Sequence, residues 1–98
     1  MDSDRLSGLA VVYHALGRKA DSDSALRQLT QQNANSNPYQ IALAHAYRGE
    51  TDQAFDWLDR AYSQRDFELT LVKGEWLLKS VRGDPRYKAF LRKMNLPE

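Results

Sequence analysis

The stretch YQIALAHAYRGETDQAFDWLDRAY, residues 39–62, decides the fold class. It reads as two amphipathic helices joined at Arg48-Gly49-Glu50-Thr51. In its second half Ala54, Phe55, Trp57, Leu58, Ala61 and Tyr62 fall within roughly 160° of arc at about 100° per residue. Asp52, Asp56, Asp59, Arg60 and Ser63 take the remaining arc, which makes them a solvated face, with Asp56 and Arg60 spaced as an i,i+4 pair. No apolar pocket surrounds these aspartates to split their pKa values, so they do not read as an acid–base pair. Two helices cannot bury a core alone, and the flanks must supply neighbours.

Upstream, Leu6, Leu9, Ala10, Tyr13 and Leu16 recur at three- and four-residue steps and predict a helix from Ser3 to Leu16, which Gly17 stops. Val11 and Val12 widen its apolar surface, as expected of a helix packed on two sides. A second helix is predicted from Lys19 to Gln32, with Asp21 and Asp23 near its positive end and Ser22, Ala25, Leu26 and Leu29 facing inward. The polar run at residues 31–37 is a connection. Asn37-Pro38 then opens the third helix, Asn37 as cap and Pro38 at the first helical position, with Gln40 placed for a capping box.

Downstream, Leu69-Thr70-Leu71-Val72 has the composition of a strand but no second strand to pair with, so an extended or single-turn connection is expected. Trp76, Leu77, Leu78 and Val81 predict a short helix at residues 74–80. Asp84-Pro85 caps a last helix to Met94, with Tyr87, Phe90, Leu91 and Met94 on one face. Residues 95–98 read as a tail.

Composition narrows the function classes. The chain has 98 residues, enough for one domain, and no cysteine, which removes disulfides, thiolate metal sites and a cysteine nucleophile. No apolar run is long enough to span a bilayer, and the opening MDSDRLSG lacks the basic region of a signal peptide, so a soluble, cytoplasmic protein is expected. His14 and His45 have no partners at ligand spacing, and Gly17, Gly49, Gly74 and Gly83 are isolated, so neither a metal site, a phosphate loop nor a cofactor is predicted. The net charge of +1 is uneven. Residues 73–93 carry seven Lys/Arg against only Glu75 and Asp84. Lys79, Arg82, Arg86, Lys88, Arg92 and Lys93 therefore form a candidate basic patch for weak nucleic-acid binding, against the simpler reading of a solvated cationic helix.

Helices one and two lie over helices three and four at an offset of 32 residues. Leu9 falls on Ile41, Ala10 on Ala42, Tyr13 on His45, Gly17 on Gly49, Ser22 on Ala54, Leu26 on Leu58 and Leu29 on Ala61. An internal repeat of that period points to a helical array. In these residues the chain resembles the tetratricopeptide repeat family, whose unit is a helix–turn–helix. His45 replaces the family's tyrosine, and Pro38 its first large residue. The resemblance covers residues 4–66 and implies an all-α, right-handed solenoid fragment of five to six helices. Its units would be repeat one at 4–34, repeat two at 36–66 and an atypical capping unit at 67–94. The run VRGDPRYKAFL, residues 81–91, also resembles the end of such regions in bacterial multidomain signalling proteins, which implies a C-terminal piece of a larger chain.

The resemblance further implies a noncatalytic protein-interaction module, monomeric or weakly dimeric, that binds a peptide or helix of another protein. Its groove would be lined by Ser7, Val11 and His14 from the first unit and Tyr39, Leu43, Ala46 and Tyr47 from the second. The residues of family members that clamp chaperone carboxylate tails are absent. Two alternatives stay open: a structural or self-association cap, and a groove filled by the chain's own residues 69–78.

Overall fold

The computed structural model describes residues 2–64 and 76–94, which are helical with short turns and contain no strand. Its elements are α1 (Asp2–Ala15), α2 (Lys19–Asn33), α3 (Pro38–Tyr47), α4 (Thr51–Ser63), a 3-10 helix (Trp76–Val81) and α5 (Pro85–Lys93). The expected connection at residues 69–72 falls outside the described residues. The short helix expected at 74–80 is a 3-10 helix over its described part. No helix among the described residues is long and apolar enough to cross a membrane.

The two predicted glycine stops form one turn, used twice. Gly17 and Gly49 have φ of 76° and 79°, the left-handed region that a side chain disfavours. Arg18 N–H donates to Tyr13 O at 2.8 Å, and Glu50 N–H donates to His45 O at 2.9 Å. Each glycine N–H donates three residues back at 3.0 Å, to His14 O and Ala46 O. These paired bonds are the Schellman arrangement, which satisfies carbonyls that a helix end would leave bare.

The other ends divide. Asp84 caps α5 as its sequence predicts, its Oδ1 accepting from Arg86 N–H at 2.9 Å. Asn37 makes no side-chain capping bond, while Pro38 with its preset φ stands at the predicted α3 start. The expected Asp56–Arg60 pair is replaced: Arg60 donates to Asn35 Oδ1 at 3.0 Å and lies 4.9 Å over the Trp57 ring.

Small side chains bring the first helices together. α1 packs on α2 and α3 on α4, while α3 also lies against α1, α2 and the 3-10 helix. Ala10, Ala42, Ala44, Ala54 and Ala61 are completely buried, and Ser22, also without exposed surface, donates its hydroxyl to Ala10 O at 2.8 Å. Longer side chains at such positions would hold the helix axes apart. One apolar cluster joins Leu6, Ala10, Ala25, Leu26 and Leu29 to Ile41 and Ala44. A second joins Tyr39, Leu43 and Ala46 to Phe55, Leu58, Leu78, Val81, Phe90 and Leu91. Half-buried Trp57 touches both clusters. Helix α3 therefore stands between two halves of the core.

Helix α5 is attached differently. Its Tyr87, Phe90 and Leu91 are buried, and Phe90 meets Tyr62 of α4 edge-on at 6.4 Å between ring centres. Around this contact Arg86 pairs with Asp52 at 2.9 Å and Lys93 with Asp59 at 3.2 Å. Exposed pairs of that kind contribute little, so the burial of Tyr87, Phe90 and Leu91 in the core is the main attachment.

Candidate functional site

The candidate groove begins with the inner surface of α3, and four of its seven expected lining residues are core. Tyr39, Leu43 and Ala46 are 1%, 2% and 0% exposed, and Ser7 on α1 is 4% exposed. Tyr39 lies 32 residues after Ser7, and both positions are buried. For Leu43 and Ala46 the cause is the chain itself. The 3-10 helix lies on α3, Leu78 and Val81 join the cluster of Leu43 and Ala46, and the Ser80 hydroxyl donates to Ala46 O at 2.6 Å. The 3-10 helix, which shares only residues 76–78 with the 69–78 segment, thus covers Leu43 and Ala46, while residues 69–75 lie outside the described residues.

Val11, His14 and Tyr47 retain accessible surface. His14 meets Tyr47 edge-on, with ring centres 5.8 Å apart and planes at 80°. A cleft of about 410 Å³ opens beside Tyr47, lined among the described residues by Tyr47, Leu77, Lys79 and Ser80. A smaller recess of about 230 Å³ lies on the His14 side, lined by His14, Gly17, Lys19, Arg48 and Glu50. The His14–Tyr47 pair links the two hollows. Tyr47 and Leu77 offer carbon surface, Ser80 a hydroxyl and Lys79 a cation.

Sequence reasoning missed Leu77 and Ser80 as lining residues and assigned Lys79 to a different surface. A signal existed: Trp76-Leu77-Leu78 is a more continuous apolar run than a single helix face can bury. In the structure Leu78 goes fully inside and Leu77 remains half-buried at the cleft.

Beneath the recess lies a polar junction. The Arg48 side chain, 7% exposed, donates to Asp23 at 2.5 Å, Glu50 at 3.1 Å and Ser22 Oγ at 3.3 Å. Glu50 also lies 2.9 Å from His45 Nδ1. Hydrogen bonds from Lys19 first and Arg48 second hold the Asp23 carboxyl below its ordinary pKa. Here His45 takes a polar contact instead of filling the core. Among the described residues no cluster of His, Asp or Glu is arranged to hold a metal ion. The junction's groups satisfy each other, so its chemistry is joining α2, α3 and the start of α4.

The six basic residues do not form one open patch. Arg86 is engaged by Asp84 and Asp52 and lies 4.8 Å over the Phe55 ring, and those carboxylates raise its pKa. Lys93 pairs with Asp59 and lies 4.8 Å over Tyr62. Arg82 is half-buried, Lys79 is at the cleft, and Lys88 and Arg92 are exposed on α5. Cations already matched to carboxylates have less counterion release to offer a nucleic acid.

In comparison with known proteins, no family model, no curated protein and no solved structure matches this chain.

Proposed function

We propose that the chain is a noncatalytic, tetratricopeptide-like interaction module that takes an apolar side chain of a partner protein's segment into the Tyr47–Leu77 cleft. The observation that carries this reading is the cleft itself: about 410 Å³ of space with aromatic and aliphatic walls and the exposed ammonium of Lys79. Recognition sites commonly combine an apolar socket with a few orienting polar groups. The duplicated Schellman turns and the seating of α3 on both α1 and α2 support the repeat part of the reading. The cover formed by the 3-10 helix confines the partner's contact to the rim, so the reading concerns an anchor side chain and its neighbours, not a peptide laid along all of α3.

Selection of displayed random peptides on the whole chain tests it. Expected are peptides with one large apolar anchor next to acidic residues, whose affinity falls at least about tenfold with Tyr47→Ala, the loss of a central anchor contact. Lys79→Ala should weaken the acidic preference, with melting unchanged. Selection of no peptide, or of peptides indifferent to Tyr47→Ala, overturns the reading.

A further inference from the structure

Two groups that can carry positive charge flank Tyr47, one in each hollow. In the cleft stands Lys79, exposed on the 3-10 helix, and among the described residues no carboxylate pairs with it. In the recess stands His14, exposed near the end of α1, its ring edge-on to Tyr47 at 5.8 Å between centres. Neither ring nitrogen of His14 makes a hydrogen bond among the described residues. The other charged groups lining the recess are matched. Lys19 pairs with Asp23, Arg48 with Asp23 and Glu50, and the remaining oxygen of Glu50 meets His45.

We infer that the partner's segment crosses Tyr47 from the cleft into the recess and carries an acidic residue on each side of its apolar anchor, one meeting Lys79 and the other His14. The inference rests on the cleft reading above and adds the second hollow to it. The unmatched groups select the chemistry: an ammonium only donates, and an imidazole that has gained a proton donates from both nitrogens. Lys19 and Arg48 could serve the same acid only by giving up carboxylates they already hold. The two contacts differ in their response to pH. An ammonium keeps its charge throughout the neutral range, whereas imidazoles change charge between about pH 5 and 8. Facing His14 are Tyr47 of α3, Lys19 of α2, and Arg48 and Glu50 of the α3–α4 turn, with His45 beyond Glu50. A carboxylate set against His14 favours its protonated form, so binding takes up a proton and tightens as pH falls through the imidazole range.

Short synthetic peptides with one leucine anchor, and glutamate or glutamine on each side of it, are the probes, titrated into the whole chain by calorimetry. The peptide with two glutamates should bind most tightly. Its affinity should rise about two- to fivefold between about pH 8 and pH 6, the size of an exposed ion pair. His14→Gln should abolish that rise with an unchanged melting curve, and Lys79→Ala should weaken the glutamate peptides equally at both ends of the range. In NMR the titration of the His14 ring should move to higher pH when the two-glutamate peptide is added, and that of His45 should stay. Peptides that bind through Tyr47 with no pH dependence, or a rise that survives His14→Gln, overturn this inference and leave the cleft reading standing. Binding by none of the peptides at either pH overturns both.

Discussion

The two halves of the chain offset by 32 residues have the same turns but opposite exposures. In the first half Val12, His14 and Leu16 meet solvent; in the second, the corresponding Ala44 and Ala46 are fully buried and Arg48 nearly so. Local geometry does not explain this, since the glycine φ values and turn hydrogen bonds agree. The neighbours do. Helix α3 packs against α1, α2, α4 and the 3-10 helix, whereas α1 has its main packing against α2 and α3 among the described elements. A helix's pattern says which side chains want cover, and the rest of the fold decides which receive it.

Paired substitutions sharpen the comparison, beginning with the core. Leu58→Ala should cost about 2–5 kcal/mol, the usual range for a leucine that leaves a cavity. Leu58 has no exposed surface and packs with α3, the 3-10 helix and α5. Its counterpart Leu26, 7% exposed in the smaller cluster, should lose less when changed to Ala. Denaturant midpoints decide, and equal losses would mean that the extra cover on the second half adds nothing.

The next contrast is at the turns. Arg48→Met removes the donor that Asp23, Glu50 and Ser22 share, so thermal melting should shift down clearly. Leu16→Ala, at the corresponding position, should stay within about 0.5 kcal/mol of the parent, as exposed positions usually do. If the two variants melt alike, the junction does not hold α2 to α3.

Acid gives the smallest effect. Lys19 and then Arg48 lower the pKa of Asp23, and hydrogen bonds from the Arg86 side chain and backbone lower that of Asp84. Each folded pKa lies below the ordinary value of 3.8, so each carboxylate contributes stability above that pH and loses it as pH falls through the folded value. Both are open to solvent, which keeps the contribution slight. Asp84→Asn, which can still cap, and Asp23→Asn should each flatten the fall of the melting temperature below about pH 4.

The legible part of the molecule was the local part. Gly17 and Gly49 declared their turns, Asp84 its cap, and the spacing of Ala54, Leu58 and Ala61 its buried side, because each depends on residues within a few positions. Arg48 lies 25 residues from Asp23 and Ser80 34 from Ala46, and no spacing rule announces such meetings. That is why four of the seven expected groove residues turned out to be covered: the resemblance supplied a surface and could not say what lay across it. Arg86 and Lys93 show the same distance effect, since Asp52 and Asp59, which they reach on α4, sit 34 residues upstream.

Helix α3 buries seven of its ten residues, three of them alanines. Almost every change of size there must be answered by a change in another helix. Tyr47, Leu77 and Lys79 stand at its margin and keep accessible surface. The chain thus separates a stretch where a change of size disturbs several helices from a border where it disturbs fewer.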